Sequence, residues 1–269
     1  MALGQGLKSA VKALIPRGLI YATYEQRLLR HLDRDRLPEH VAVLADGNRR
    51  WARANAPGQE LVVGYRAGAQ KLKQFIGWCE EVGVPVVTLW VLSTENLERS
   101  GPEELAPLLD VIRDLVTDLA ADGTRQVQVV GDLNLLPARI AADLRAATQS
   151  TAAAVGMHVN VAVSYGGRHE LRDAVRSLLA AEASKGTDLT ELADTLEIDH
   201  ISEHLYTAGQ PDPDLIIRTS GEQRLSGFLI WQSAHSEFYF CEALWPDFRK
   251  IDFIRALRAY SQRERRFGR

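Results

Sequence analysis

Short, almost wholly apolar runs recur along this chain and limit its fold more than any other feature. They lie at residues 41–45, 86–92, 127–130, 158–163 and 215–217, with 229–231 as a candidate sixth run. Apolar runs of this length without strict alternation are typical of strands buried on both faces, which occur in parallel sheets. The runs therefore predict a six-stranded, mostly parallel sheet.

Helical patterns separate these runs. The clearest begins after Ser100, where Pro102 opens a helix and Glu103 and Glu104 suit its positive amino end. Apolar residues then recur at helical spacing, at positions 105, 108, 109, 112, 115, 116 and 119. Strands that alternate with helices form parallel βα units. The predicted fold class is therefore α/β, a single domain with a central, mostly parallel six-stranded sheet flanked by helices.

The first 32 residues differ from the rest, because their apolar residues are interleaved with basic ones. This pattern predicts an amphipathic helical arm over residues 1–32, followed by one larger domain over residues 33–269. Such an arm could make a weak membrane-surface contact, although docking on its own domain is the commoner arrangement. The start of the chain has no long apolar block and no small-residue cleavage site, so no secretory signal is expected.

Charge and cysteine content exclude several classes of protein. The chain carries 32 Lys and Arg against 35 Asp and Glu, a net charge of −3, whereas a general nucleic-acid binder is usually strongly basic. Cys79 and Cys241 are too few for a disulfide scaffold and have no metal-ligand spacing. No apolar stretch approaches the ~20 residues of a membrane span. We expect a cytoplasmic protein, possibly peripheral to the inner membrane face, without a nucleic-acid partner.

Polar loops follow the predicted strands. Four of these loops carry arginine, at residues 46–51, 93–99, 165–168 and 218–226. In open parallel sheets, ligands bind beyond the carboxyl ends of the strands, so these loops are expected to share one edge. Arginines together with backbone amides at helix starts form a site for phosphoryl oxygens. That edge is the predicted active site.

Each loop also has a purely structural explanation. Asp46 could cap a helix, Asn48 could be a turn residue, and Gly166-Gly167 could simply allow a tight strand-to-helix turn. A carboxylate among phosphates needs a cation between them, however, and Mg²⁺ is typically held by one or two carboxylates with phosphates and water. Asp46 is the obvious ligand. No nucleotide-binding glycine motif is present, so the residues alone indicate a Mg²⁺-dependent enzyme acting on diphosphates.

Several longer motifs occur on these loops in a fixed order. The first is Asp46-Gly47-Asn48-Arg49-Arg50-Trp51-Ala52. The others are Ser93-Thr94-Glu95-Asn96 with Arg99, Tyr165-Gly166-Gly167-Arg168, residues 217–224, Trp231-Gln232 with Ser236-Glu237, Trp245-Pro246-Asp247-Phe248 and residues 265–268. Together they resemble, in order and over residues 41–269, the motifs of the cis-prenyltransferases, the undecaprenyl diphosphate synthase family. The chain has no adjacent Asp pair, which separates it from the all-helical trans-prenyltransferases.

The resemblance implies a Mg²⁺-dependent condensation of isopentenyl diphosphate with an allylic diphosphate. Asp46 and Asn96 would be the catalytic residues, and Asp46 and Glu237 the metal ligands, the latter often from the neighbouring subunit. The substrate-binding residues implied are Gly47, Asn48, Arg49, Arg50, Trp51, Tyr65, Leu92, Ser93, Thr94, Glu95, Leu97, Arg99, Arg218, Arg224, Leu225, Ser226, Arg266 and Gly268. The last two match a tail that reaches into the partner's site, so a homodimer is implied.

Four positions depart from the commonest family pattern. Arg49 stands where glycine is usual, Leu61 where arginine is usual, Tyr65 where histidine is usual and Leu97 where tryptophan is usual. The allylic phosphate site thus loses basic partners at 61 and 65, and we hypothesise that Arg49 offsets the lost charge.

The expected product follows from Leu92, which stands where long-chain members usually carry an aromatic residue near the hydrophobic tunnel. With the Asn-Arg-Arg-Trp variant, it resembles the actinobacterial short-chain branch, which makes products such as Z,E-farnesyl diphosphate. We expect a short Z product, made from geranyl diphosphate. If Leu92 only packs within its strand, a C50–C55 polyprenyl product remains an alternative. An irregular coupling of two dimethylallyl units is another alternative. A noncatalytic partner subunit is a further alternative, although such subunits typically lack the Asp-Gly-Asn signature. A hydrolase would need a positioned water and base that the sequence does not reveal.

Overall fold

The computed structural model describes residues 25–262 apart from Gln26 and His31. Six strands form one sheet: β1 (His40–Leu44), β2 (Val86–Trp90), β3 (Gln126–Val130), β4 (His158–Ala162), β5 (Leu215–Arg218) and β6 (Glu237–Phe240). Their order is β3-β4-β2-β1-β5-β6, and every neighbouring pair is parallel. The predicted fold class is confirmed, with a sheet that is parallel throughout.

The sixth strand lies elsewhere than the sequence predicts. Residues 229–231 form turns, and Leu229 has a φ of 44°, a conformation that strands do not adopt. Phe228 and Leu229 are instead fully buried in a core cluster that includes Ile216. The observed strand, Glu237–Phe240, lies at an edge of the sheet. Its side chains are partly exposed rather than buried on both faces. The prediction of a strand at 229–231 is wrong.

Helices connect the strands. They are α1 (Asn48–Asn55), α2 (Val62–Val82), α3 (Thr94–Arg99), α4 (Pro102–Ala120), α5 (Ala138–Ser150), α6 (Gly167–Lys185), α7 (Leu189–Thr195), α8 (Ile198–Ser202) and α9 (Lys250–Ser261). Helix α4 begins at Pro102 as predicted, with two glutamates in its first turn. Among the described residues, no helix has the length and hydropathy needed to cross a membrane.

The chain divides into two compact units. The larger, Pro38–Phe248, contains the whole sheet and helices α1 to α8. The smaller joins residues before Pro38 to residues after Phe248, and in it Ile251 and Ile254 of α9 form a cluster with Leu28. Most of the predicted arm lies outside the described residues, so its boundary at residue 32 stays a prediction.

Helices α1 and α2 approach each other closely at Gly64. A Cβ there would lie 2.3 Å from the carbonyl oxygen of Asn48 and 2.9 Å from the Cβ of Ala52. We therefore expect Gly64→Ala to destabilise the fold by about 2–3 kcal/mol, since α1 must move. Gly77→Ala is the matched control on the same helix, because nothing lies within 4 Å of its added Cβ, and it should stabilise by roughly 0.5–1 kcal/mol. Urea unfolding measures both changes, and equal stabilities would contradict the prediction.

A buried histidine makes the stability of the larger unit depend on pH. His40 is 1% exposed, and its ring nitrogens lie 2.7 Å from the carbonyl oxygen of Pro211 and 2.8 Å from the Thr88 hydroxyl. Burial lowers the pKa of His40 from 6.5 to about 4. Between these two values the unfolded chain binds a proton that the folded chain does not. Stability is therefore complete above pH 6.5 and is expected to fall by about 3 kcal/mol as the pH drops to 4.

Two neighbours modify this pH dependence. The charge of Asp214 raises the pKa of His40 and that of His158 lowers it, while burial also lowers the pKa of His158 itself. Urea unfolding at pH 7.5 and pH 5 should show a smaller pH difference for His40→Gln than for the wild type, whatever the absolute stability of the variant. The same pH difference in both proteins would rule out His40 as the cause.

Candidate active site

A cavity of about 630 Å³ lies at the carboxyl ends of the central strands. Three of the four arginine-bearing loops line it, those that follow β1, β2 and β5. Their lining residues are Asp46, Gly47, Asn48, Arg49, Arg50, Ser93, Glu95, Asn96, Arg99, Arg218, Arg224 and Ser226. The sequence therefore places most of the polar site correctly, by the rule that parallel strands end at one edge.

The fourth loop, which follows β4, has a structural role. Tyr165 is buried in the core and Arg168 is exposed to solvent away from the cavity lining. The amide of Gly167 donates to the carbonyl oxygen of Gly227 at 2.9 Å, and a Cβ at Gly167 would lie 2.4 Å from that oxygen. The glycine pair thus allows close approach of two loops, which is the structural reading of this motif.

An apolar wall completes the cavity. It comes from α2, α4 and the end of β2, through Ala69, Leu72, Trp90, Val91, Leu92, Leu108, Val111, Ile112 and Leu115. Apart from Leu92, sequence reasoning did not identify these residues as part of a site. Helical spacing reveals the stripe on α4, but it gives no signal that part of the stripe faces a cavity. A pocket with charged loops and apolar walls fits a ligand with an anionic head and a hydrocarbon tail.

Asp46 is held through its backbone directly after β1. Its carbonyl oxygen accepts hydrogen bonds from the Thr219 hydroxyl at 2.8 Å and from the Trp245 amide at 2.9 Å. Its carboxylate is 41% exposed and lies between two arginines, with Oδ2 3.1 Å from Nη2 of Arg218 and Oδ1 3.9 Å from Nη2 of Arg50. A fixed carboxylate open to solvent can take an oxygen-preferring metal ion without rearrangement of the backbone.

Arg218 ends β5 and is only 5% exposed. Its Nη1 donates to the Ser226 hydroxyl at 2.9 Å and to the carbonyl oxygen of Arg224. Its Nε is buried and has no hydrogen-bond partner among the described residues. Buried donors are normally satisfied, so this N–H is available to an oxygen of a ligand. Ser226 has a φ of 50°, a strained conformation of the kind that concentrates at functional sites.

A buried carboxylate anchors the loop that carries Ser226. Glu170 on α6 is buried, and burial raises its pKa. Its oxygens accept hydrogen bonds from the Gln232 amide at 3.0 Å and from the Tyr165 hydroxyl, and that hydroxyl in turn accepts from the backbone amide of Leu229 at 3.2 Å. The loop after β5 is thus fastened at its far end, which keeps the partners of Arg218 in place.

Helix α1 begins inside the polar part of the cavity. Its N-cap is Gly47, with a φ of 109°, and a Cβ there would lie 2.9 Å from Leu244. Gly68 of α2 lies against Asn48, since an added Cβ would be 2.4 Å from Asn48 Oδ1. The first amides of a helix have no intrahelical acceptors and attract anions. Both glycines therefore permit a compact anion-binding turn.

Arg49 contacts side chains of two other elements. Its Nε lies 2.9 Å from the Tyr65 hydroxyl and 2.8 Å from Oε1 of Glu104, and its Nη2 lies 3.0 Å from the Ser100 hydroxyl. The Tyr65 hydroxyl accepts the hydrogen bond from Arg49 and donates one to the Glu104 carboxylate. Burial and the bond to Glu104 raise the pKa of Tyr65 to about 12, so the hydroxyl stays protonated at neutral pH. Two of the four departures from the family pattern are thus in direct contact.

Asn96 and Arg99 meet on α3. Nη2 of Arg99 donates to the Asn96 side-chain oxygen at 2.5 Å. The backbone amide of Asn96 donates to the Ser93 hydroxyl, which caps the helix. All three line the cavity. The side chain of Asn96 is therefore oriented by an arginine, as expected of a residue that positions a substrate.

Four predicted residues lie near the cavity without lining it. Nε1 of Trp51 donates to Asp247 at 2.8 Å, and Thr94 is buried at the start of α3. Leu97 is partly exposed, and Leu225 packs against the core. A binding role for them stays a prediction, and their contacts explain them as supports for the loops.

Glu237 lies at the opposite end of the sheet from Asp46. It begins β6, in register across β5 with Val41 of β1. Asp46 comes five residues after Val41, and β6 lies two strands away from β1, so the backbones of the two residues in one chain are on the order of 19 Å apart. A shared metal would need Glu237 from a second copy of the chain. Among the described residues, no three metal-ligating side chains form a cluster, while Arg266 and Gly268 lie outside the described residues.

Comparisons with known proteins agree with this geometry. A sequence model of the undecaprenyl diphosphate synthase family matches residues 44–268. The (2Z,6E)-farnesyl diphosphate synthase of Thermobifida fusca is 59% identical over 93% of this chain and 97% of its own length. The isoprenyl transferase 1 of Streptomyces avermitilis is 54% identical, with coverages of 94% and 97%. The short-chain Z-isoprenyl diphosphate synthase of Mycobacterium bovis is 53% identical, with coverages of 93% and 96%.

A solved structure is also similar to this chain. It is the lavandulyl diphosphate synthase of Lavandula x intermedia in complex with dimethylallyl diphosphate, with a TM-score of 0.79 and 33% sequence identity. The similarity covers 87% of this chain and 100% of that chain.

Proposed function

Because the chain belongs to the undecaprenyl diphosphate synthase family, we propose that it joins isopentenyl diphosphate to an allylic diphosphate to give a short Z-isoprenyl diphosphate. One observation carries the proposal. Asp46 and the buried Arg218 lie 3.1 Å apart in a cavity whose other walls are apolar. The charged loops suit two diphosphates, and the apolar walls suit the prenyl chain.

The arginines divide into two groups that suit two diphosphates. The allylic diphosphate would lie at the amino end of α1, held by Gly47, Asn48 and Arg50. Isopentenyl diphosphate would be held by Arg218, Arg224 and Ser226, with the free Nε of Arg218 as a further donor. Charge-assisted hydrogen bonds of this kind are the strong ones. Holding two anionic substrates in line is itself a large part of catalysis.

The residues present fit a Mg²⁺ ion at Asp46. Its exposed carboxylate, together with phosphate oxygens and water, is the donor set that Mg²⁺ prefers. When bound, the metal supplies positive charge against the departing diphosphate. Arg50 and Arg218, which flank the carboxylate, stabilise the same charge from the protein side. Glu237 from a second copy of the chain completes the proposed ligand set.

The reaction needs one proton to leave. The double bond of isopentenyl diphosphate attacks C1 of the allylic substrate, whose diphosphate departs with the C–O bonding electrons. An oxygen of the departing diphosphate then takes a proton from C2 of the isopentenyl unit, which forms the Z double bond. Asp46 and Asn96 both line the cavity. An amide is a poor base, so Asn96 positions the substrate, while Asp46 organises the proton loss through the diphosphate site.

Leu92 sets the product length in this proposal. It is 1% exposed and lines the apolar part of the cavity. We expect Leu92→Ala to change the product length, because it alters the space available to the growing chain. Leu89→Ala is the matched control, since Leu89 is buried on β2 and is absent from the cavity lining. Each truncation costs about 2–5 kcal/mol of stability, but only Leu92→Ala should change the product length. Chromatography of the dephosphorylated products measures this length. The same product length in both would remove Leu92 from this role.

The proposal includes a homodimer. β6 is the edge strand of the sheet, and Phe240 on it is 40% exposed and stacked on Phe238 with ring centroids 6.4 Å apart. Exposed aromatic side chains of this kind are enriched in interfaces. The separation of Glu237 from Asp46 favours a site completed by a second copy. Light scattering of the purified protein tests the dimer directly.

A substrate assay tests the proposed activity. The protein is incubated with Mg²⁺, labelled isopentenyl diphosphate and one of three primers: dimethylallyl, geranyl or farnesyl diphosphate. We expect incorporation of label with geranyl diphosphate, its loss on chelation with EDTA and its return with added Mg²⁺. No incorporation with any primer would overturn the proposal and favour a noncatalytic partner. Product formed from dimethylallyl diphosphate alone would instead indicate irregular coupling.

A further inference from the structure

Arg49, Tyr65 and Glu104 form a polar cluster that joins three helices. Arg49 belongs to α1, Tyr65 to α2 and Glu104 to the first turn of α4. The three side chains are connected pairwise, and Ser100 adds a fourth contact directly before α4. The contacts join side chains 16 to 55 residues apart in sequence, so the cluster fixes the separation of the three helices at one point.

The same faces of α2 and α4 continue into the apolar walls of the cavity. On α2, the face consists of Tyr65, Ala69 and Leu72, at spacings of four and seven residues. On α4, it consists of Glu104, Leu108, Ile112 and Leu115, at spacings of four, eight and eleven residues. Such spacings place side chains on one face of a helix. All of these residues except Glu104 line the cavity. The cluster is therefore the first level of two facing stripes whose later levels line the apolar part of the cavity.

The charge of Arg49 is already matched within the protein. Its guanidinium makes contacts with a carboxylate and two hydroxyl groups, and both Arg49 and Glu104 are only partly exposed. If Arg49 bound a phosphate instead, Glu104 would be a partly buried carboxylate without its cation, which would cost free energy. The geometry thus favours a bracing role for Arg49 over the offset of lost phosphate-binding charge.

We propose that Arg49, Tyr65 and Glu104 are positioning residues that fix the distance between α2 and α4 and thereby select the length of the prenyl chain. This inference rests on the proposed function and names the determinant of its primer specificity. It also explains why arginine at 49 and tyrosine at 65 occur together, since each is a partner of the other.

The test uses two variants that keep side-chain size. Glu104→Gln removes the charge that pairs with Arg49, and Tyr65→Phe removes the hydroxyl that contacts both Arg49 and Glu104. Steady-state kinetics with geranyl and farnesyl diphosphate measures kcat/KM for both primers, and product lengths are recorded. We expect the preference for geranyl over farnesyl diphosphate to fall by about fivefold or more, with products longer than C15 appearing. The affinity of Glu104→Gln for inorganic diphosphate should stay within about twofold of the wild type, because the diphosphate loops are unchanged.

Two further variants separate this role from phosphate binding. Arg49→Lys keeps the charge but loses the planar fork, so it should change primer preference as Glu104→Gln does. If Arg49 instead bound phosphate, Arg49→Lys would behave nearly like the wild type and Glu104→Gln would bind diphosphate more tightly. That result would overturn the inference. Asp110→Asn is the matched control, because it removes an exposed ion pair with Arg113, 2.7 Å long, on the same helix.

The outcomes distinguish the inference from the proposed function. A wild-type protein that forms no prenyl product overturns both. An active wild type with unchanged primer preference in folded Glu104→Gln and Tyr65→Phe overturns the inference alone. Thermal melts of each variant establish folding, and the two single variants change different side chains of the cluster, so a failure of one to fold leaves the other decisive.

Discussion

Asp46→Asn is expected to lower kcat for prenyl transfer by about a thousandfold. Asparagine keeps the size of the side chain, and its oxygen can still accept the hydrogen bond from Arg218, which lies 3.1 Å from the carboxylate. It lacks the negative charge needed to hold a cation against the diphosphates. Because Arg218 is only 5% exposed, the loss of its carboxylate partner should also lower stability, so a thermal melt is used to establish that the variant is folded. Initial rates at saturating substrate measure the effect, and a rate within about tenfold of the wild type would remove Asp46 from the metal site.

Mixing two inactive variants tests where the second ligand comes from. If Glu237 completes the site of a second copy, a heterodimer of Asp46→Asn and Glu237→Gln chains contains one intact site. An equimolar mixture that exchanges subunits freely should then recover about a quarter of the wild-type activity. If the mixture stays as inactive as its components while subunit exchange is demonstrated, Glu237 does not complete the partner's site.

Arg218→Gln is expected to raise the KM for isopentenyl diphosphate by about a hundredfold. The substitution removes a buried cation that contacts Asp46 and Ser226 and whose Nε is available to a ligand. The KM for the allylic primer should change much less, since that diphosphate is assigned to the amino end of α1. Steady-state kinetics with each substrate varied in turn separates the two constants.

Ser226→Ala provides the graded control for Arg218. It removes one hydrogen bond to Nη1, 2.9 Å long, and keeps the guanidinium, so the KM for isopentenyl diphosphate should rise only about fivefold. If Arg218→Gln raised the KM for isopentenyl diphosphate and the KM for the allylic primer equally, the arginine would support the whole cavity rather than one diphosphate.

The polar half of the site was predictable because it depends only on chain order. Parallel strands end at one edge, so residues that follow β1, β2 and β5 must meet there. The apolar half was not predictable in the same way. Leu108 and Leu109 are both buried apolar residues of α4, yet only Leu108 lines the cavity. Hydrophobic periodicity indicates which residues leave water, but not whether protein or ligand covers them.

The remaining misses depend on tertiary geometry. Arg49 and Tyr65 were each noticed as departures from the family pattern, but their contact with Glu104 depends on how three helices cross. The edge strand β6 was not predicted because residues 229–231 and 238–240 are both short apolar runs, and the sequence does not indicate which of the two forms the strand. The distance between Glu237 and Asp46 in one chain follows from strand register, and the expectation that Glu237 acts from the neighbouring subunit stays a prediction.

The chain length of the wild-type product tests the central claim most directly. Geranyl diphosphate is extended with excess isopentenyl diphosphate and Mg²⁺, and the dephosphorylated products are resolved by length and double-bond geometry over a long incubation. The account predicts that extension stops at a C15 product with one new Z double bond, because Leu92 and the cluster of Arg49, Tyr65 and Glu104 are proposed to limit the apolar part of the cavity. Continued growth to C50–C55 products would keep the family and contradict a cavity limited by Leu92 and by the cluster of Arg49, Tyr65 and Glu104.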